Sequence, residues 1–154
     1  MRRSLILAAT VGLALGACAS PTYTPSIGGP AASWPVAPEL LPPASSHIPA
    51  AFGPATWALD PAFAAPTPES TELRILVWER DCSSGAPATG RMSAPVIEYK
   101  PQTVTITIGV RPRGGIQSCP LPPGTPAIVR LPQPLGDRTL LDGGHEPPAP
   151  PAFP

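Results

Sequence analysis

The chain has 154 residues, a formal net charge of zero at pH 7 and 27 prolines. Twelve prolines lie between residues 19 and 70, and five fall in the last eight residues. Because proline-rich segments build neither helices nor sheet ladders, one small domain at residues 71–144 is predicted to fold. Its eight Lys or Arg face six Asp or Glu, which forms no clear basic stripe and gives no support for nucleic-acid binding.

The N-terminus has the pattern of a secretory signal peptide. Arg2 and Arg3 precede an apolar run from Leu5 to Leu15, which is too short for a permanent membrane span. The Leu-Gly-Ala-Cys sequence that ends at Cys18 resembles the bacterial lipobox. This resemblance implies that residues 1–17 are removed and that Cys18 carries a diacylglyceryl thioether and acyl chains such as palmitate. The alternative is ordinary signal cleavage with an incidental cysteine.

Residues 18–70 are interpreted as the lipid anchor followed by a Pro/Ala-rich disordered linker. As an extended polyproline helix, about 50 residues would reach roughly 150 Å. A second interpretation is that residues 51–65 dock on the domain or on a partner, as an extended segment or a short helix. It rests on four aromatic residues that a pure spacer does not need, namely Trp34, Phe52, Trp57 and Phe63. The spacer is favoured.

Five strands are predicted within the domain. In chain order they are Glu72–Arg80, Pro95–Tyr99, Thr103–Val110, Pro126–Leu131 and Arg138–Leu141. The third is the strongest, because β-branched apolar residues alternate with threonine at period 2 along its length. No stretch has a helical period. The predicted class is therefore mainly β, a small antiparallel β-sandwich or curled sheet of about five strands, with a Pro-rich disordered tail at residues 145–154.

Three cysteines are an odd number for an exported chain. If Cys18 carries lipid, Cys82 and Cys119 remain, and an oxidising compartment favours a disulfide between them. The first and third predicted strands would end at the same edge, so this bond would tie two loops together there. The rival interpretation is a redox pair, but the Cys-x-x-Cys spacing is missing.

Several motifs resemble a group of uncharacterised secreted or lipid-anchored proteins of actinobacteria. The motifs are Cys82-Ser83-Ser84-Gly85, Gly90-Arg91, Ser118-Cys119-Pro120, the closing run Pro-Leu-Gly-Asp-Arg-Thr-Leu-Leu-Asp-Gly-Gly at residues 134–144, and Pro147-Pro148. The likeness covers residues 80–148, close to half the chain. It implies an extracytoplasmic location and the limits of the domain, and it implies no chemistry.

The closing run has a structural and a functional interpretation. In the first, its glycines supply positive-φ turns, Asp137 and Asp142 accept hydrogen bonds from turn amides, and Arg138 pairs with one of them. In the second, these three side chains line a ligand site at the sheet edge. The structural interpretation is favoured.

The sequence argues against an enzyme. His47 lies in the linker and His145 at the edge of the tail, so neither is placed to serve as a base. No residue spacing suits zinc, calcium or a phosphate loop, and no metal or cofactor is predicted. Glu79, Asp81 and Glu98 leave a small hydrolase with paired carboxylates as an unlikely alternative.

Two non-enzymatic functions remain for a lipoprotein on the extracytoplasmic face of the cell membrane. The first is an interaction or structural module that binds an envelope protein or a cell-wall component. The alternative is a binding module for an anionic envelope ligand. Its candidate residues are four arginines at predicted strand ends and turns, Arg80, Arg91, Arg111 and Arg113. Arginines at such positions also serve solubility.

Overall fold

The computed structural model describes residues 37–40 and 47–154, so the predicted signal peptide, Cys18 and Trp34 lie outside the described residues. The seven strands are β1 (Glu39–Leu40), β2 (Gly53–Leu59), β3 (Glu72–Glu79), β4 (Val96–Tyr99), β5 (Thr103–Val110), β6 (Thr125–Arg130) and β7 (Thr139–Asp142). Within these ranges, no helix is long and apolar enough to cross a membrane.

The strands form one curled sheet in the order β1-β6-β3-β2-β5-β4, with β7 placed beside β5. The predicted mainly-β class and curled sheet are therefore confirmed. The sheet is mixed, however, because β1 pairs with β6 and β5 with β7 in parallel. Parallel neighbours need a crossing connection between them, which the simple antiparallel prediction did not include.

The core lies on one face of this sheet, as the alternation predicted. The four apolar residues of β5 face inward with three of the five apolar residues of β3, and none of these seven is more than 1% exposed: Val104, Ile106, Ile108, Val110, Leu73, Ile75 and Val77. Each such side chain contributes roughly 1.5–3 kcal/mol when it is fully buried. β5 is the hub of the fold, since β4, β2 and β7 all pair with it.

Strand β2 is the largest departure from the sequence prediction. It comes from the segment interpreted as linker, yet it lies between β3 and β5 and pairs with both. Its Trp57 is fully buried, and its indole Nε1 donates to the Ile106 carbonyl oxygen at 3.0 Å. The domain therefore begins before residue 71, and the docking interpretation of residues 51–65 is the one that matches the structure. Pro54 is tolerated because it is exposed near the first residue of the strand.

The C-terminal segment also differs from the predicted disordered tail. Ala149 forms a short antiparallel bridge with Asp142. The ring of Phe153 lies 5.6 Å from that of Trp78, edge to face. Residues 145–154 thus cover part of the outer face of β3, and proline content alone did not distinguish a packed extended segment from an unpacked one.

Candidate functional site

The sheet has two chemically different ends. Because β3 and β5 both run antiparallel to β2, they finish at the same end of the sheet. Cys82 follows β3 and Cys119 follows β5, and their Sγ atoms are bonded, with Cα atoms 4.5 Å apart. The predicted disulfide is confirmed. This end is called the disulfide end, and the opposite end, where β2 leads into β3, is called the cleft end.

Arg91 is not available to bind a ligand. Its guanidinium contacts the Glu79 carboxylate through two bonds of 2.7 and 2.5 Å, and the Glu79 side chain is 2% exposed. The hydrogen bond to Glu79 raises the pKa of Arg91 above its ordinary value. Arg91 also donates to the Arg111 carbonyl oxygen at 2.6 Å. The ion pair closes the disulfide end of the core. Arg91 is therefore no longer a candidate for the predicted arginine ligand site, and Glu79 is no longer a candidate for the predicted pair of catalytic carboxylates.

The other three predicted arginines lie exposed at the disulfide end. Arg80 donates to the Gly144 carbonyl oxygen at 2.9 Å. The guanidinium of Arg111 lies 5.1 Å from the centre of the Phe52 ring. Arg113 follows two residues later in the exposed loop after β5. These cations share one end of the molecule without converging on a pocket.

Asp137 and Arg138 lie at the cleft end, away from the three arginines. Arg138 donates to the carbonyl oxygens of Lys100 at 3.2 Å and Leu135 at 3.1 Å, and it stacks on Tyr99 at 5.4 Å. Among the described residues, no ion pair joins Arg138 to an aspartate, which differs from the predicted pairing. Asp137 is exposed. The proposed ligand triad with Asp142 is therefore not assembled.

Asp142 instead lies in a fork between two strands. β7 pairs with the first half of β5, and β2 pairs with the last part of β5. Asp142 is the last residue of β7 and lies where β7 and β2 meet. One carboxylate oxygen accepts from the Trp57 amide at 3.0 Å and the other from the Gly144 amide at 2.8 Å. Arg80 and His145 lie close enough to interact electrostatically with the Asp142 carboxylate. The carboxylate thus joins β2 to the closing turn, in agreement with the structural interpretation of this motif.

Two of the three glycines of the closing run have a different role from the one predicted. Gly136 has a positive φ of 64°, whereas Gly143 and Gly144 are not among the residues with positive φ. A Cβ at Gly143 would collide with the Thr107 hydroxyl, and one at Gly144 with the Ala55 carbonyl oxygen. These two glycines are needed because the backbone of the turn packs directly against β5 and β2.

Replacing Asp142 by asparagine tests this fork. The two backbone amides need one acceptor oxygen each, and an asparagine side chain has only one. We therefore expect the free energy of unfolding to fall by about 1–3 kcal/mol. Burial raises the pKa of Asp142 above its ordinary value, against the hydrogen bonds from Gly144 and Trp57. The stabilisation that the protonated Asp142 side chain gives to the folded state is therefore complete at a pH below the ordinary aspartate pKa. It is lost as the pH rises through the raised pKa.

The measurement is urea unfolding of the wild type and Asp142→Asn between about pH 3 and pH 7, a range that begins below the ordinary aspartate pKa. The stability advantage of the wild type should be largest at the acidic end and should shrink as the pH rises. An advantage that grows with pH would show that the folded protein favours the charged carboxylate.

A concave surface lies at the cleft end. It is an open cleft of about 540 Å³ between the loop that follows β2 and the start of β3. The half-exposed ring of Phe63 projects there, with the Arg74 guanidinium 4.5 Å from its centre. Asp60 and Glu72 also line the cleft. The signal in the sequence was an aromatic residue inside a proline-rich segment, which had been assigned to the spacer.

The carboxylates of the cleft already have partners. Glu72 pairs with Arg74 at 3.1 Å and with Arg130 at 2.7 Å. Asp60 accepts from the Ala62 amide at 2.9 Å. Across residues 37–40 and 47–154, no group of three His, Cys, Asp or Glu side chains is placed to hold a metal ion. Comparison of the chain with protein families, curated proteins and solved structures finds no match.

Proposed function

We propose that this protein is a lipid-anchored, non-enzymatic interaction module on the extracytoplasmic face of the cell membrane. Cys18 carries the lipid, and the β domain binds an extended apolar segment of an envelope protein in the cleft. The observation that carries the proposal is the disulfide. It uses two of the three cysteines, which leaves the lipobox cysteine for the anchor, and such bonds persist in oxidising compartments outside the cytoplasm.

The structure shortens the tether that this proposal requires. β1 begins at Glu39, so residues 19–38 separate it from Cys18. Twenty residues reach at most about 70 Å when fully extended. The domain is therefore held closer to the bilayer than a spacer running to residue 70 would hold it, and a partner in the same membrane or its adjoining wall is within reach.

The cleft supports an interaction role for the domain. Pro61, Phe63, Ala64, Ala65 and Pro66 give it a mostly apolar lining, and its volume is within the range of ligand-binding clefts. Grooves with an aromatic lining bind extended peptide segments, and Phe63 supplies an aromatic ring here. Its two carboxylates are engaged in ion pairs and in a turn hydrogen bond.

The test is site-specific photo-crosslinking in intact cells. A photo-crosslinking amino acid at Ala64, which is exposed in the cleft, should give a discrete adduct with an envelope protein. The matched control is the same amino acid at Glu98, which is exposed on β4. Mass spectrometry of the adduct should locate the crosslink in an extended segment of the partner. No adduct from Ala64, or the same adducts from both positions, would contradict the proposal.

A further inference from the structure

Trp78 is a large aromatic residue on the outer face of the sheet, near the disulfide end of β3. It is out of phase with Leu73, Ile75 and Val77, which fill the core, yet it is only 7% exposed. A Cβ at Gly124 would lie 2.7 Å from the Trp78 ring, so the indole packs directly against the backbone of that glycine. Trp78 is therefore held in place without belonging to the core.

The C-terminal segment, residues 149–154, lies against this indole. Its sequence is Ala-Pro-Pro-Ala-Phe-Pro, and it is called the proline strap. The ring of Phe153 meets that of Trp78 edge to face, with the ring centres 5.6 Å apart. Ala149 and Pro151 are partly buried while their neighbours are exposed, which is the alternation of an extended segment that lies along a surface. Part of the cover over Trp78 thus comes from the chain's own proline-rich end.

Few contacts hold the proline strap in place. Two backbone hydrogen bonds join Ala149 to Asp142, at 2.7 and 3.3 Å. Beyond Ala149, the strap makes no hydrogen bond to the part of the chain that the structure describes, and the Phe153 ring is 56% exposed. Because segments with few buried apolar contacts open at a low cost in free energy, the strap can leave Trp78 while the domain stays folded.

The indole nitrogen of Trp78 is an unused hydrogen-bond donor. Trp57 donates to the Ile106 carbonyl oxygen, whereas within residues 37–40 and 47–154 no acceptor is bonded to Nε1 of Trp78. Every buried side-chain nitrogen in these residues has a partner, so this atom faces solvent. The strap therefore fills the site only in part, since it covers the ring and leaves the donor without an acceptor.

These features match the way in which proteins recognise proline-rich segments. Such segments form an extended polyproline helix without internal hydrogen bonds, so their carbonyl oxygens are available as acceptors. They dock on aromatic side chains and lose little freedom, because their conformation is formed in advance. Trp78 offers both a fixed ring and a free N–H donor. The proline strap, with three prolines in six residues, is itself a segment of this class.

We propose that the outer face of β3 around Trp78 binds an extended proline-rich segment of a partner protein, and that the proline strap occupies this site until the partner displaces it. The partner segment covers the ring as the strap does, and it also accepts the hydrogen bond from the indole nitrogen. The site lies at the opposite end of β3 from the cleft. The proposal depends neither on the cleft nor on the lipid anchor.

The experiment is fluorine NMR of the full-length protein, labelled with fluorotryptophan and kept in detergent. The chain has three tryptophans, and Trp78→Phe identifies the signal of Trp78. Phe153→Ala removes the ring of the strap and should shift that signal. The probe is the peptide Ala-Pro-Pro-Ala-Phe-Pro, which should return the signal toward its wild-type position in the Phe153→Ala protein. Half-saturation is expected at or below about 1 mM, because a short tether gives the strap a millimolar effective concentration.

Three comparisons sharpen this result. In the wild type the tethered strap competes, so the same peptide concentration should move the Trp78 signal far less. The signal of the buried Trp57 should keep its position throughout, which reports that the domain stays folded. A peptide with glycine in place of each proline should bind at least about tenfold more weakly, because it has more conformational freedom to lose.

Three results would overturn the proposal. The first is a Trp78 signal that is the same in the wild type and in Phe153→Ala. The second is a Phe153→Ala protein whose Trp78 signal does not respond to millimolar peptide. The third is equal affinity for the proline and glycine peptides, which would show that the site recognises a phenyl ring and not a proline-rich segment.

Discussion

Replacing Trp57 by alanine is expected to lower the free energy of unfolding by about 3–5 kcal/mol, the usual cost of emptying a buried aromatic site. Trp57 is fully buried in β2, level with Val77 of β3, and its indole bonds to the backbone of β5. The loss therefore acts on the three neighbouring strands that carry the core. Urea unfolding followed by circular dichroism measures it.

Two variants accompany this measurement. Phe63→Ala removes another aromatic residue of the same proline-rich segment from a half-exposed position and should cost far less. Trp57→Phe keeps a ring but removes the hydrogen bond to Ile106, so a folded protein weakened by about 1 kcal/mol is expected even if the alanine variant does not fold. Equal effects of Trp57→Ala and Phe63→Ala would contradict a central position for β2.

Reducing the disulfide is expected to lower the free energy of unfolding by about 4 kcal/mol, the loop-entropy value for cysteines 37 residues apart. The bond joins the loops after β3 and β5, and an unfolded chain without it gains the freedom of that whole segment. Thermal melts of the oxidised and reduced protein measure the difference.

The double variant Cys82→Ala with Cys119→Ala controls for the reductant, and it should melt with the reduced wild type. A Cys18→Ala background leaves only the disulfide thiols to be counted by mass spectrometry. If the reduced protein melts at the temperature of the oxidised protein while both thiols are free, the core suffices and the bond is not what stabilises the domain.

The sequence predicted the strands in which buried and exposed side chains alternate with the two-residue period of a β-strand. β5 matched its predicted limits, because alternating β-branched residues admit one interpretation of which face is buried. β2 was missed because alanine is a poor strand former, and its single large core residue, Trp57, stands among prolines. A fragment that starts at residue 71 therefore lacks a central strand, and we expect it not to fold.

Site features were predictable where counting or chemistry constrained them. With Cys18 assigned to the predicted lipobox, only Cys82 and Cys119 were left to pair, and the structure joins them. Arg91, Gly143 and Gly144 were misassigned for another reason, since the buried partner Glu79 and the close approach of Ala55 arise from long-range packing. The residues that line the cleft all lie between positions 59 and 74, and the cleft was missed because most of that segment had been assigned to the linker.

The central claim is that Cys18 anchors this domain to the membrane, and mass spectrometry of the mature protein tests it most directly. Protein recovered from its native membrane should begin at Cys18, carry a thioether-linked diacylglycerol there, and enter the detergent phase on phase partitioning. Cys18→Ala should remain in the aqueous phase, because the lipid supplies the anchor. A mature chain with an unmodified Cys18, or a Cys18→Ala protein that is processed and stays membrane-bound, would contradict the account.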